Sequence, residues 1–135
     1  MIVACDGAAR GNPGPAGFGV HITDAAGETV AEIAEGIGVA TNNVAEYRAA
    51  IAGLERAREL GARSILLRSD SKLLIEQLAG RFKVRNAGLK PLHATARALM
   101  IAFDRVDLEH IPRERNREAD RLANLGVDRW LARRD

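Results

Sequence analysis

The spacing of apolar residues changes several times along the chain, and each change predicts a new structural element. Residues 1–6 are a short apolar run and residues 17–24 alternate apolar with polar side chains, which is typical of strands. Residues 27–38 alternate less regularly and are predicted to be the third strand of a meander. The turn before it has Asp24 to open it and Gly27 to bend it.

Beyond this meander the spacing becomes helical. Apolar residues recur three or four positions apart from Asn43 to Leu60, and Gly61 follows as a stop signal. The same analysis predicts a buried strand at 64–70, a helix from Ser71 to the residue before Gly80, a helix at 88–103, a strand at 105–111 and a helix at 116–132.

The resulting order is β-β-β-α-β-α-α-β-α, which predicts an α/β fold. Three meandering strands followed by βα units imply a mixed five-stranded sheet, with an antiparallel meander, parallel strands and helices on both faces. No internal repeat or linker-like composition shift interrupts the sequence. We therefore expect one domain over residues 1–135.

The composition is that of a globular protein: 47% of the 135 residues are apolar and 28% are charged. No apolar stretch approaches the ~20 residues of a membrane helix, and no secretion signal is evident. The lone cysteine, Cys5, is predicted to pack as a small apolar residue. We expect a cytoplasmic protein without a membrane partner, and a monomer, because nothing signals an obligate oligomer or protein partner.

Basic residues are concentrated in two regions, although the net charge is only +2. Eight of the twenty lie between Arg105 and Arg134, and four more lie within residues 81–90. Such runs are usually solvated faces, but they also suit contact with a polyanion such as a nucleic acid.

Four carboxylates occupy notable positions, and each has a local explanation. Asp6 with Gly7 fits a turn, Asn43 with Glu46 resembles a capping box, Asp70 suits a helix N-cap, and Asp120 is placed to pair with Arg117 or Arg121.

Taken together, the four carboxylates favour a shared site. If the first and fourth strands are adjacent and parallel, Asp6 and Asp70 emerge at the same edge of the sheet, where α/β folds bind ligands. Helix starts near that edge would add Glu46 and Asp120. Clustered carboxylates repel unless divalent cations lie among them, and oxygen ligands suit magnesium or manganese. Paired cations of this kind serve phosphodiester cleavage.

Other kinds of site fit the sequence less well. The stretch "GAARGNPG" lacks the ending of a phosphate-binding P-loop and precedes an alternating strand, so it is predicted to be a hairpin connection turning at Asn12, Pro13 and Gly14. The three histidines have no evident serine or cysteine partner for a hydrolytic triad.

Four blocks of the sequence, in this order, resemble the type 1 ribonuclease H family, its prokaryotic form in particular. They are "CDGAARGNPGPAGFG", "TNNVAEYRAAIAGLE", "LRSDSKLL" and "RERNREADRLAN", and they cover nearly the whole chain. The resemblance implies endonucleolytic hydrolysis of the RNA strand of RNA–DNA hybrids, with 5′-phosphate and 3′-hydroxyl ends and little sequence preference.

The resemblance also implies roles for individual residues. Two magnesium ions, with manganese as a substitute, would be held by Asp6, Glu46, Asp70 and Asp120. Substrate contacts would come from Asn12, Thr41, Asn42, Asn43, Ser71, Phe82, Asn86, Arg113 and Arg115. Among these, Thr41 and Asn86 match a pocket for a phosphate of the DNA strand.

The sequence departs from the family pattern in two places. Many members carry a histidine on the loop before the last aspartate; here that loop reads "IPRERN", His110 precedes it, and Arg113 or Arg115 is the candidate replacement. The long basic protrusion of some members is missing, since only residues 79–87 stand in its place. Phe82 occupies the position of an aromatic that touches the DNA strand. We therefore predict weaker hybrid binding than in relatives with the protrusion.

Two other functions remain open from the sequence alone. A non-catalytic nucleic-acid-binding module would be free to lose acidic residues, whereas all four are present. A transposase-like phosphoryl transferase would share the fold, but the "TNN" and "GNPGP" blocks argue against it.

Overall fold

The computed structural model describes residues 1–134 and contains one five-stranded sheet in the order β3-β2-β1-β4-β5. Strands β1, β2 and β3 are antiparallel, and β1, β4 and β5 are parallel. The elements are β1 (Ile2–Ala9), β2 (Gly14–Thr23), β3 (Thr29–Ala40), α1 (Asn42–Glu59), β4 (Ser64–Ser69), α2 (Lys72–Leu78), α3 (Lys90–Ile101), β5 (Arg105–His110), a short 3₁₀ helix (Arg113–Arg115) and α4 (Arg117–Arg133).

The predicted element order and mixed sheet are confirmed, and the differences lie at element ends. Strand β1 runs three residues beyond Asp6, because residues 7–9 continue to pair with β2. The third strand begins and ends two residues later than predicted, at Thr29 and Ala40. The turn before it is as predicted: Asp24 Oδ1 accepts hydrogen bonds from the amides of Ala26 and Glu28.

Helices cover both faces of the sheet because neighbouring strand residues point in opposite directions. Val20 faces α1: a Cβ added at Gly53 of that helix would lie 3.3 Å from Val20 Cγ1. Its neighbour Gly19 faces α4, where an added Cβ would lie 2.3 Å from the carbonyl oxygen of Ala119. Glycine at position 19 therefore lets α4 lie directly on the sheet.

The larger core lies between the sheet and helices α1, α2 and α3. Val20, Leu54, Leu67 and Leu78 are buried there without exposed surface. Cys5 is also fully buried in this core, as predicted. Within residues 1–134 no helix combines the length and the apolar character that crossing a bilayer requires.

The central pair of parallel strands brings distant acidic residues together. Strand β1 lies beside β4 with Cys5 opposite Ser69, so the next residues, Asp6 and Asp70, are neighbours at the same edge. A connection of more than sixty residues separates them in sequence. The sheet thus creates the acidic edge that the sequence predicted.

Candidate active site

Three carboxylates converge at the carboxyl edge of β1 and β4. Asp6 projects from β1, Asp70 follows β4 directly, and Glu46 lies in α1. One oxygen from each of the three lies within 4.8 Å of the others. They form the floor of an open cleft of about 540 Å³.

The fourth predicted carboxylate, Asp120, approaches the same cleft from α4. It lies in the first turn of that helix and lines the cleft with the other three. It is outside the tight group of three oxygens, but after burial and the charges of Glu46 and Asp70 its charge also contributes to raising the pKa of Asp6. The structure therefore brings all four predicted acids to one site from both faces of the sheet.

The local explanations for the strand residues are wrong. Asp6 is not in a turn, because it pairs with Gly19 in the middle of the β1–β2 ladder. Asp70 does not cap α2, because that helix begins one residue later and its N-cap is Ser71, whose Oγ accepts a hydrogen bond from the amide of Leu74 at 3.2 Å. Asp6 is therefore not a turn residue, and Asp70 is not a helix cap.

The local explanations for the helix residues are also wrong. Helix α1 is capped by Thr41, whose Oγ1 accepts from the amide of Val44, so Glu46 belongs to no capping box. In α4, Arg121 pairs with Glu118 at 2.8 Å and with Glu32 at 2.9 Å, and within residues 1–134 neither Arg121 nor Arg117 forms an ion pair with Asp120.

Crowding in the cleft makes these acids hold protons strongly when no cation is present. Burial, and then the charges of Glu46 and Asp70, raise the pKa of Asp6 well above its usual range. Burial and the charge of Asp70 likewise raise the pKa of Glu46, although the backbone amide of Gly7 partly opposes this. The site is therefore electrostatically unfavourable for its own carboxylates.

The arrangement fits a divalent cation. Glu46 Oε2 is buried and has no hydrogen-bond partner, and no Lys or Arg within residues 1–134 forms an ion pair with any of the three converging carboxylates. A set of donors made only of oxygen suits a hard cation. Such a cation would offset the repulsion and satisfy the orphaned oxygen.

Four of the predicted substrate contacts line the same cleft: Asn42, Asn43, Ser71 and Arg113. A fifth, Asn12, reaches it indirectly from the β1–β2 hairpin, because its Oδ1 accepts a hydrogen bond from the amide of Asn42 at 3.0 Å. Thr41 lies next to them as the cap of α1.

The other predicted contacts lie elsewhere. Phe82 and Asn86 belong to the segment between α2 and α3, where Phe82 is 45% exposed and Asn86 Oδ1 accepts from the amide of Gly88. Arg115 lines a separate cavity of about 300 Å³, together with Arg68 and Arg117. Of the two candidate replacements for the family's loop histidine, Arg113 is therefore the one that faces the carboxylates.

Comparisons with known proteins agree with this geometry. A family described as reverse transcriptase-like matches residues 4–126. A bifunctional protein of Mycobacterium tuberculosis is 50% identical over 129 residues, covering 95% of this chain and 35% of that protein. Ribonuclease HI of Halobacterium salinarum is 46% identical over 123 residues, covering 91% of this chain and 62% of that protein.

Solved structures give the same result. The N-terminal RNase H domain of the Mycobacterium tuberculosis protein superposes with a TM-score of 0.91 at 48% identity, covering 93% of this chain and 97% of that one. LC11-RNase H1, solved in complex with an RNA/DNA hybrid, superposes with a TM-score of 0.91 at 41% identity, covering 96% of this chain and 98% of that one. This chain belongs to the type 1 ribonuclease H family.

Relatives in the ribonuclease H family differ in length from this chain. The chain spans about a third (35%) of the Mycobacterium tuberculosis protein, where the aligned part is named as an N-terminal RNase H domain.

Two residues at this ribonuclease H site were not predicted from the sequence. Arg10 and Asn124 line the cleft; Arg10 donates to Asn124 and forms an ion pair with Asp128 at 2.7 Å. Asn124 Nδ2 in turn donates to the backbone oxygen of Asp120 at 3.0 Å. The i, i+4 spacing of Asp120 and Asn124 is the only sequence signal for this connection.

A third unpredicted residue, Asn116, is buried and connects two acid-bearing elements of the ribonuclease H chain. Its Nδ2 donates to the carbonyl oxygen of Cys5, the residue before Asp6, at 3.0 Å. Its own carbonyl oxygen accepts from the amide of Asp120 at 3.1 Å. Nothing in the sequence marks this asparagine, because its partner is more than a hundred residues away.

Proposed function

We propose that this chain hydrolyses the RNA strand of RNA–DNA hybrids, as an endonuclease with little sequence preference that leaves 5′-phosphate and 3′-hydroxyl ends. The observation that carries this proposal is the convergence of Asp6, Glu46 and Asp70 within 4.8 Å in an open cleft. The capture of an RNA/DNA hybrid by a relative of 41% identity supports the choice of substrate.

The acids would hold two magnesium ions, and manganese would substitute. Asp6 and Asp70 would bind the ions, Glu46 would bind one of them, and Asp120 would complete the second site. When bound, the cations supply Lewis acidity at the scissile phosphate and a more acidic water as nucleophile.

The chain's own side chains would recognise the RNA strand by its 2′-hydroxyls. A 2′-hydroxyl both donates and accepts hydrogen bonds, and DNA lacks it. The side-chain amides of Asn42 and Asn43 line the cleft and offer both donors and acceptors, while Glu46 offers an acceptor. Asn12 fixes the backbone at Asn42 by accepting from its amide. Because these groups need no base edge, cleavage would depend little on sequence.

The remaining predicted residues would bind phosphates and the DNA strand. Arg113 lines the cleft and would contact the scissile region, where the family's loop histidine is absent. Thr41 and Asn86 would bind a DNA phosphate, and the exposed ring of Phe82 would contact the DNA strand. Ser71 lines the cleft and would contact the RNA strand.

A cleavage assay with three matched substrates tests this function. Labelled RNA–DNA hybrid, duplex RNA and duplex DNA of one sequence are incubated with the protein, with magnesium and with a chelator. We expect cleavage of the hybrid's RNA strand in magnesium alone. Hybrid binding without cleavage would instead identify a non-catalytic module, and cleavage of duplex DNA would identify a different phosphoryl transferase.

The same proposal includes a monomer that acts in the cytoplasm. Its support is that the single cysteine is free and fully buried, which suits a reducing compartment and leaves no exposed thiol to link two copies. Light scattering during size-exclusion chromatography would test the oligomeric state, where a mass of about twice 14.5 kDa would contradict it.

A further inference from the structure

The segment between α2 and α3, residues 79–89, presents exposed basic and aromatic side chains without regular secondary structure. Phe82, Lys83 and Arg85 are all exposed on it. Under the proposed function this segment contacts the hybrid, so its position must be fixed by contacts with the rest of the molecule.

The start of the segment is held by α2. The amides of Arg81 and Phe82 both donate to the carbonyl oxygen of Glu76, at 2.9 and 3.1 Å. The guanidinium of Arg81 also pairs with the Glu76 carboxylate at 2.6 Å. These contacts end at Phe82 and leave the following basic residues to be positioned by something else.

The middle of the segment is held by the side chain of Gln77. Gln77 Nε2 donates to the backbone oxygen of Lys83 at 3.3 Å. Within residues 1–134, this is the one hydrogen bond from the body of the protein to residues 83–85. The side chain of Val84 adds an apolar contact with the core.

The amide of Gln77 is itself held in one orientation. Tyr47 Oη donates to Gln77 Oε1 at 2.6 Å, so Nε2 must point towards Lys83. Both side chains are buried, with 1% of Tyr47 and 4% of Gln77 exposed. His93 Nε2 donates to the backbone oxygen of Gln77 at 3.1 Å, which adds a contact from α3.

We infer that Gln77 is a positioning residue for substrate binding: it fixes residues 83–85 relative to α1, the helix that carries Glu46, and so aligns the basic segment with the cleft. Tyr47 directly follows Glu46 in α1. The buried side-chain amide of Gln77 thus connects α1, which carries Glu46, to the segment that is proposed to contact the DNA strand. This inference rests on the proposed function.

Steady-state kinetics on the hybrid with three variants test the inference. Gln77→Met keeps an unbranched side chain of similar size but removes the donor to Lys83. Tyr47→Phe removes the hydroxyl but leaves that donor in place. The double variant, Tyr47→Phe with Gln77→Met, removes the donor to Lys83 without leaving the buried Tyr47 hydroxyl unpaired.

We expect the two variants that lack Gln77 to raise KM for the hybrid about three- to tenfold, with kcat within about twofold of wild type. Tyr47→Phe alone should raise KM by less, because it frees the Gln77 amide to turn but leaves the donor to Lys83 in place. NMR order parameters of the backbone amides should fall at residues 83–85 in the Gln77 variants and stay unchanged in β1 and β4. The order parameters report on the segment without substrate or metal.

Two results would overturn the inference. One is a wild-type KM in Gln77→Met; the other is an equal rise of KM in Ile65→Val, which would point to general loss of stability. Ile65→Val, a buried change in β4, is the control for stability and should leave KM unchanged. If the wild-type protein does not cleave the hybrid, the proposed function fails, and the NMR order parameters still decide whether Gln77 positions the segment.

Discussion

At the scale of single residues, the position of the α2 N-cap decides the role of Asp70. Ser71, and not Asp70, caps α2, because its hydroxyl accepts from the amide of Leu74. Ser69 is buried, and its Oγ accepts from the amide of Ser71 at 3.0 Å. The serines on both sides satisfy the local backbone, so the carboxylate between them is available to face Asp6 and Glu46.

Asp70→Asn should abolish hybrid cleavage and leave the fold intact. The charge of Asp70 raises the pKa of both Asp6 and Glu46, so its removal should also stabilise the metal-free protein near neutral pH, raising Tm by about 2–8 °C in a chelator. Thermal unfolding with and without magnesium measures the effect. The gain should disappear in magnesium, since the wild-type site then has a cation to offset the repulsion.

Asp107→Asn is the matched control for this change. Asp107 lies in β5, where its exposed carboxylate pairs with Arg105 outside the cleft. Exposed pairs contribute little to stability, so this variant should have nearly wild-type cleavage and Tm. Cleavage by Asp70→Asn at the wild-type rate would remove Asp70 from the catalytic set.

The raised pKa values of Asp6 and Glu46 predict how the stability of the metal-free protein depends on pH. The folded protein keeps protons that the unfolded chain releases near its ordinary carboxyl pKa of about 4. Stability from this source is therefore complete below about pH 4 and is lost as pH rises towards the raised pKa values.

Urea unfolding in a chelator between about pH 5 and about pH 8 measures this dependence. The free energy of unfolding should fall with rising pH in the wild type and fall less in Glu46→Gln, which cannot lose a proton there. Magnesium should restore stability most at the upper end of the range. Parallel profiles for the two proteins would contradict the prediction.

At the scale of elements, Gly7 allows α1 to approach β1 closely enough to place Glu46. A Cβ at this position would lie 2.4 Å from both the carbonyl carbon of Ala45 and the amide nitrogen of Glu46. These are backbone atoms, so no side-chain rotation relieves the contact. Gly7→Ala must move the start of α1 away from Asp6.

We expect Gly7→Ala to lower the free energy of unfolding by about 1–3 kcal/mol and to reduce kcat by more than about tenfold. Gly53→Ala is the matched control on the same helix. Its added Cβ meets the side chain of Val3 at 2.7 Å, two turns away from Glu46. Gly53→Ala should lower the free energy of unfolding but keep kcat near wild type. Equal losses of kcat in both variants would show that kcat does not depend specifically on the position of the first turns of α1.

The sequence predicted the strands and helices but not their exact ends or the contacts between them. Within residues 1–134, periodicity predicted the five strands and four α-helices, because burial of an apolar face imposes it, but not the 3₁₀ helix at Arg113–Arg115. Asn43 with Glu46 looked like a capping box, yet Thr41 caps α1, because Ser, Thr, Asn and Asp are interchangeable as caps and several stand together here. Contacts such as Asn116 with Cys5 depend on packing between distant elements, which local patterns do not contain.

At the scale of the whole molecule, the four carboxylates meet only because the sheet has two covered faces and a parallel centre. Asp6 and Asp70 come from the adjacent strands β1 and β4. Glu46 comes from the helix on one face and Asp120 from the helix on the other. The prediction of a shared acidic site was therefore correct because it was a prediction of topology, whereas each local explanation considered one element alone.

The same topology places a second group of basic residues, which are expected to bind phosphates, outside the lining of the acidic cleft. Lys83, Arg85 and Lys90 lie between α2 and α3 or at the start of α3, and none forms an ion pair within residues 1–134. Phosphate contacts release counterions from the nucleic acid, so each one steepens the dependence of affinity on salt.

Arg85→Gln should therefore weaken hybrid binding and reduce the slope of log K against log salt concentration by about one. Binding is measured by fluorescence anisotropy between about 50 and about 200 mM salt, in the Asp70→Asn background so that the hybrid stays intact. Arg58→Gln is the control, because Arg58 lies in a groove with Leu99 and away from the cleft. A slope that changes equally in both variants would mean that net charge, and not a phosphate contact at residue 85, governs affinity.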